Sequence, residues 1–202
     1  FDNAKNFREY QLQLISKKIV GSTAEIGPGT GSIVDNYVKK IPSLTLYEPS
    51  LNLFKILKKR YKSNNKVKIL NKTFKKQKKK FDTIIYFDVI EHIKNDKLEI
   101  NNALNNLKKN GHLIINVPAF NLLYSEFDKE VGHYKRYQKK DISKILSKKR
   151  YSQKEMKYYD SIGFILAFLS KTFKMNFKKN FRNKIIFWNN LIPLLKLLDK
   201  LI

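Results

Sequence analysis

Residues 24–31 read Ala-Glu-Ile-Gly-Pro-Gly-Thr-Gly, with glycines at positions 27, 29 and 31 and an acid, Glu25, two residues before the first of them. Thr23–Ile26 reads as a strand running into this loop, and Ser32–Lys40 as a helix leaving it. Glycines so placed let the backbone turn sharply and approach a ligand where any Cβ would intrude. A helix N-terminus just beyond offers N–H groups to a polar or anionic group. The spacing is Gly-x-Gly-x-Gly, not the Gly-x-Gly-x-x-Gly of dinucleotide binders, and no Gly-Lys-Ser/Thr of a phosphate-binding loop occurs. Glu48, seventeen residues after Gly31, ends the second predicted strand, Leu44–Tyr47. A carboxylate there can accept both hydroxyls of a ribose. Loop and acid together point to a nucleoside ligand lying over the strand tips.

Working outward, short apolar runs alternate with helical patterns, as in a doubly wound α/β sheet that is mostly parallel with helices on both faces. Ser50–Tyr61 is expected to be a helix and Val67–Leu70 a third strand. The lysine-filled stretch Lys75–Lys80 is expected to be a solvated loop. Phe81–Phe87 has the few polar interruptions of a strand buried on both faces. Asp96–Lys108 suits a helix, and Asn110-Gly111 a turn into a fifth strand, His112–Val117. After Pro118 the alternation loosens. Ala119–Tyr137 reads as a long functional loop or lid, Asp141–Lys149 as a short helix capped by Asp141, and Lys154–Tyr159 as a sixth strand. Two apolar, lysine-flanked helical patterns close the chain, Ser161–Phe173 and Lys184–Ile202. The expected division is a binding domain at 1–160, with 119–150 as its lid and acceptor region, followed by a helical C-terminal tail at 161–202.

Composition narrows the chemistry. The chain of 202 residues has no cysteine, which excludes a disulfide framework, a zinc ribbon, an iron–sulfur site and a thiol nucleophile. Three histidines, His92, His112 and His133, lie far apart, and no metal is expected. The formal net charge is +25, but only five of the 42 basic residues are arginine. Readers of bases and phosphates favour arginine for its planar fork. The lysine excess reads instead as compositional drift, and nucleic acid is not the expected partner. Phe1–Val20 lacks the layout of an export signal, and no apolar run reaches the ~18 residues of a membrane span. The expected location is cytoplasmic, with the tail also open to contact with the inner face of the membrane. The chain starts at Phe rather than Met and shows no seventh strand before Ile202, as a trimmed or partial product would.

The sequence resembles class I S-adenosylmethionine-dependent methyltransferases. Glu25–Gly31 is similar to that family's acidic glycine motif and Leu44–Glu48 to its second motif. FDTIIYFDVIEHI (81–93) and LKKNGHLIINV (107–117) are similar to its fourth strand and the turn and strand that follow. VGHYKRY (131–137) resembles a stretch of bacterial members encoded beside surface-polysaccharide glycosyltransferases. The resemblance covers about residues 1 to 160. It implies S-adenosylmethionine (SAM) as cofactor: Gly27, Gly29 and Gly31 under the methionine part, Glu25 orienting the loop, Glu48 on the ribose, and Asp88 near the reacting methyl. The usual acid after strand three is absent from Leu70-Asn71-Lys72-Thr73, where Thr73 is the substitute for the adenine contact.

An oxygen acceptor of high pKa also calls for a general base, for which His133 and His92 are the candidates. Tyr134, Arg136 and Tyr137 would clamp the acceptor, expected to be a small or lipid-linked molecule such as a sugar or polysaccharide precursor. An RNA methyltransferase is the alternative, although no Asn-Pro-Pro-Tyr motif follows strand four. A non-catalytic cofactor-binding or membrane-peripheral protein is the third reading. The apolar stripes of 161–202 suit core packing, a homodimer contact or a membrane interface.

Overall fold

A computed structural model describes residues 4–146, 155–173 and 181–199. The chain divides into two compact units, Gln11–Val117 and the pair of segments Phe1–Tyr10 and Pro118–Ile202. Helix α1 (Lys5–Ile15) begins in the second and ends in the first.

The Gln11–Val117 unit is built on five parallel strands, β1 (Ser22–Ile26), β2 (Ser43–Tyr47), β3 (Val67–Leu70), β4 (Phe81–Phe87) and β5 (Leu107–Asn116). Their order is β3-β2-β1-β4-β5, so the winding reverses between β1 and β4. In such sheets ligands bind beyond the carboxyl ends of the strands at that reversal. Helices α2 (Leu51–Arg60) and α3 (Asp96–Asn105) connect strands, each started by a side chain that accepts a backbone N–H: Ser50 from Leu53 and Asn95 from Leu98. The middle of β4 is apolar because neither face meets water: Ile84, Ile85 and Tyr86 are all 0% exposed. The core gathers Val34, Tyr37, Leu46, Leu57 and Ile85 around these strands.

Two elements differ from the pattern read in the sequence. The segment after the glycine loop is not an α-helix but two 3₁₀ turns, Val34–Asn36 and Val38–Lys40. Its β-branched Ile33, Val34 and Val38 are poor α-formers, and the tighter winding still buries all three together with Tyr37. The Asn110-Gly111 pair does not precede the fifth strand but lies inside it. Leu107 pairs with Phe81 and His112 with Thr83, so the extra residues of β5 bulge out between them. Asn110 takes a positive φ of 64°, and a Cβ on Gly111 would lie 3.0 Å from the Asp82 carbonyl oxygen.

In the other unit, 119–137 is more regular than a loop. It holds a 3₁₀ turn (Asn121–Leu123) and helix α4 (Glu126–Glu130), and its ends are joined by a bridge between Ala119 and Tyr137. Helix α5 (Lys139–Leu146) starts before Asp141, which accepts the Gln138 N–H from the third helical position instead of capping the end itself. Residues 147–149 of that expected helix lie outside the described residues. The expected sixth strand is corrected: Lys154 lies outside the description, and 155–159 form no strand. The adjacent Tyr158 and Tyr159 pack against rings instead, Tyr158 on Phe120 at 4.6 Å and Tyr159 on Phe7 at 6.0 Å. Helix α6 (Ser161–Thr172) matches the first tail pattern. The second divides into α7 (Phe181–Asn190) and α8 (Ile192–Leu198), broken where Pro193 enters at the first turn of α8. Residues 174–180 and 200–202 of the expected tail lie outside the described residues. Among the described residues no helix is long and apolar enough to cross a membrane.

Asp160 ties α6 to α7. It stands in the left-handed region at φ 67°, and its carboxylate accepts the Gly163 N–H at 2.9 Å and the Trp188 Nε1–H at 3.0 Å. Burial, with Asp199 nearby, raises its pKa to about 6. A raised carboxyl pKa contributes stability that is fully present below the unfolded value and is lost as pH rises through the folded one. Between pH 4 and 7 the wild type should therefore lose about 2–3 kcal/mol from this residue. Asp160→Asn keeps a carbonyl oxygen for both donors and removes the charge, so it should gain on the wild type by that amount over the same interval. Urea unfolding at both pH values, followed by Trp188 fluorescence, checks this; equal pH slopes for the two proteins would refute it.

Candidate functional site

The carboxyl ends of β1, β2 and β4 carry the residues singled out in the sequence. The glycine loop leaves β1 while still paired to β2, with the Gly27 N–H donating to the Tyr47 carbonyl at 2.9 Å. All three glycines take positive φ, at 64°, 60° and 84°. A Cβ on Gly27 would strike Val89 at 2.7 Å and one on Gly31 would strike the Tyr61 hydroxyl at 2.8 Å, so both are enclosed by protein. Gly29 is the exception, because a Cβ there would meet nothing within 4 Å. The crest of the loop faces open space, and a ligand can approach its backbone there.

Glu48 stands beside that crest and is 4% exposed. Its Oε2 accepts the Gly29 N–H at 3.3 Å and its Oε1 the Ser50 N–H at 2.9 Å. One carboxylate thus joins the β1 loop to the start of α2. Each oxygen has a second lone pair, so the group can still accept two hydroxyls. Burial raises the Glu48 pKa, opposed by those two N–H bonds. Asn71 holds the same strand tip from the other side, its amide donating to the Glu48 carbonyl at 2.9 Å and to the Pro49 carbonyl at 3.0 Å. Thr73 is exposed two residues further on.

Glu25 is buried, at 2% exposed, and accepts a hydrogen bond from the Tyr37 hydroxyl. Burial next to this carboxylate pushes the Tyr37 pKa well up. The loop is supported from the end of α2. The Tyr61 hydroxyl donates to the Gly31 carbonyl at 3.0 Å and to Asp35 Oδ1 at 2.6 Å, while Arg60 pairs with Asp35 and donates through Nη1 to the Thr30 carbonyl at 3.0 Å. Burial works against the Asp35 charge, but the bonds from Arg60 and Tyr61 bring its pKa below the ordinary value. At the tip of β4, Asp88 is exposed, with φ 52°. Its Oδ1 accepts from the Asn116 amide at 2.6 Å, and its N–H donates to the Asn116 carbonyl at 3.0 Å. His92 ends a 3₁₀ turn (Ile90–His92) after that strand and is exposed.

The VGHYKRY stretch belongs to the other unit, where it closes around a carboxylate that sequence reasoning missed. Asp128, 0% exposed, accepts from His133 Nδ1 at 2.8 Å, from Arg136 through Nε at 2.8 Å and Nη2 at 3.0 Å, and from the Ser125 N–H at 2.9 Å. Burial opposes its charge, yet these donors hold its pKa well below the ordinary carboxylate range. An ionised carboxylate only accepts, so His133 must carry a proton on Nδ1. The Arg136 fork is engaged by Asp128 through Nε and Nη2. Tyr137 is 2% exposed and sits in the bridge to Ala119, whereas Tyr134 is 59% exposed.

Two signals could have revealed the missed residues. Ser125 and Asp128 have the Ser-x-x-Asp spacing of a capping box, which the structure forms. In a chain so rich in lysine, an arginine marks a place where a planar fork is needed. Arg60 and Arg136 each grip one carboxylate with two nitrogens.

Residues 6–153 match the family model of a methyltransferase domain. No curated protein sequence matches the chain. Solved structures share the fold. The S-adenosylmethionine-dependent methyltransferase from Clostridium acetobutylicum is 15% identical with a TM-score of 0.58, covering 76% of this chain and 86% of that one. The N-methyltransferase NodS from Bradyrhizobium japonicum, in complex with S-adenosyl-L-homocysteine (SAH), is 17% identical with a TM-score of 0.58, over 77% and 81%. A Bacillus halodurans C-125 protein is 15% identical with a TM-score of 0.57, over 68% of this chain, which spans 66% of that protein's length. With nearly three-quarters of its length matched by the model, the chain belongs to the methyltransferase domain family.

Proposed function

We propose that the chain is a SAM-dependent methyltransferase acting on a small or lipid-linked acceptor, with a sugar or polysaccharide precursor as the leading class. The observation that carries the cofactor reading is the open space over Gly29 beside the Glu48 carboxylate, which still has lone pairs to offer. Gly27, Gly29 and Gly31 would hold the methionine part and Glu48 the ribose. Asp88, latched by Asn116, would lie toward the methyl end. Thr73 is the residue assigned to the adenine. SAM, when bound, supplies a methyl group already made electrophilic by its sulfonium. The protein has to hold donor and acceptor close and aligned, which can contribute ~7–11 kcal/mol in well-oriented cases. For an oxygen acceptor, His133, held by Asp128 through Nδ1, would be the general base.

SAH tests the assignment without an acceptor. A ligand that binds only the folded state stabilises it by ~2.7 kcal/mol at a hundredfold excess over its dissociation constant. For a chain of this length that corresponds to a rise of about 5–10 °C in melting temperature. A saturable rise with SAH and none with NAD is the expected result. No rise with SAH would sink the cofactor assignment.

A further inference from the structure

Three helices of the Pro118–Ile202 segment leave apolar side chains in water. On α6, Phe164, Ile165, Phe168 and Leu169 follow the spacing of one helical face, and all four are exposed. Helix α7 exposes Ile186 and Phe187, and α8 exposes Leu194 and Leu197. Phe173, just past α6, is 70% exposed. These are not core faces seen from outside, because α8 separately buries Ile192 and Leu195 at 1% and 0%. Single exposed apolar residues are ordinary, but a four-residue face on α6 together with exposed apolar pairs on α7 and α8 is the mark of an interaction surface.

The charge of the same segment indicates what covers it. Residues 161–202 carry seven lysines and Arg182, with Asp199 as their one acid. A second copy would bring another net +25 against the first, and like charges across an interface repel. An anionic lipid surface attracts that charge and accepts Phe, Ile and Leu side chains at the boundary of its acyl chains. The twelve residues of α6 are too few to span a bilayer, so the segment would lie on it.

We propose that α6, α7 and α8 form a peripheral anchor that seats the protein on an anionic membrane. The full chain binds vesicles of mixed phosphatidylcholine and phosphatidylglycerol in a flotation assay, binds phosphatidylcholine alone far more weakly, and loosens from the anionic vesicles as salt rises. The triple variant Phe173→Ser, Phe187→Ser, Leu197→Ser keeps the net charge and removes one strongly exposed apolar side chain from each helix or its end. Its partition coefficient should fall about 100-fold or more. Phe173→Ser alone, which leaves the helices intact, should lose about tenfold and serves if the triple variant fails to fold. Absence of binding to anionic vesicles overturns the proposal. Equal binding by folded variants and wild type also overturns it, since that is adsorption by charge alone. A third overturning result is a wild-type dimer in vesicle-free solution that the triple variant turns into monomers, which would assign the exposed apolar residues to a second copy.

Discussion

Asp128→Ala should lower the melting temperature by about 10 °C. The carboxylate is wholly buried and takes hydrogen bonds from Ser125, His133 and Arg136. Removing it leaves the Arg136 guanidinium, whose side chain is 16% exposed, without that counter-charge. Breaking a buried ion pair from one side costs about 3–5 kcal/mol, and for a chain of this size each kcal/mol shifts the melting temperature by about 2–4 °C. Asp128→Asn preserves the shape but turns an amide N–H toward a cluster of donors, so it should recover only part of the loss. Because the Asp128 pKa is depressed, its contribution is present above the unfolded carboxylate range and is lost as pH falls through the folded value. The gap between wild type and Asp128→Asn should accordingly narrow in acid. Calorimetry of both proteins at neutral and acidic pH measures this, and a gap that stays constant would show that charge is not what Asp128 supplies.

The same residue shows where a sequence stops being legible. His133 and Arg136 stand out because histidine and arginine are scarce here, and their nearness in the chain invites a shared role toward a substrate. Their shared partner is instead an acid five residues before the histidine, on a helix the sequence pattern does not reveal. A helix of five residues, Glu126–Glu130, is too short to show an apolar period. Of the three residues read as an acceptor clamp, Arg136 is bonded to Asp128 and Tyr137 is buried, while Tyr134 is exposed.

Elements decided by burial on both faces were legible. β4 matches its expected bounds because a strand inside a parallel sheet has no polar face, and Glu48 was placed at a strand tip by the run that precedes it. Elements decided by tertiary context were not. The run 155–159, Glu-Met-Lys-Tyr-Tyr, is short enough to be read as a strand, but its tyrosines find rings to pack against instead of a neighbouring strand. Asn110-Gly111 has the chemistry of a turn and is used as one, but within β5, where the pairing resumes on the far side. The glycine loop was legible in its backbone demands, whereas its supports were not. Arg60 and Tyr61 come from the end of α2, whose approach to the loop depends on the folded sheet.

Glu48→Gln should separate the cofactor role of this residue from any structural one, because the two effects have opposite signs. Burial raises the pKa of Glu48, so its charged form at neutral pH is held at a cost to stability. Glutamine removes that cost. It keeps one carbonyl oxygen for either Gly29 or Ser50, so the ligand-free protein should melt at the wild-type temperature or slightly above it. Binding should move the other way. A carboxylate accepts both ribose hydroxyls, while the amide has one acceptor oxygen, already wanted by the backbone. Hydrogen bonds to a charged group are worth about 1.5–3 kcal/mol, which predicts SAH affinity about 10- to 100-fold weaker. Wild-type affinity should also fall as pH drops through the raised Glu48 pKa, earlier than an ordinary glutamate would cause, and the variant should lack that part of the pH dependence. Titration calorimetry with SAH across acidic and neutral pH reads all of this. A variant that binds like wild type would remove Glu48 from the ribose. One that loses stability and affinity together would make it a support for the Gly29 loop, with the ligand contact lying elsewhere on the strand tips.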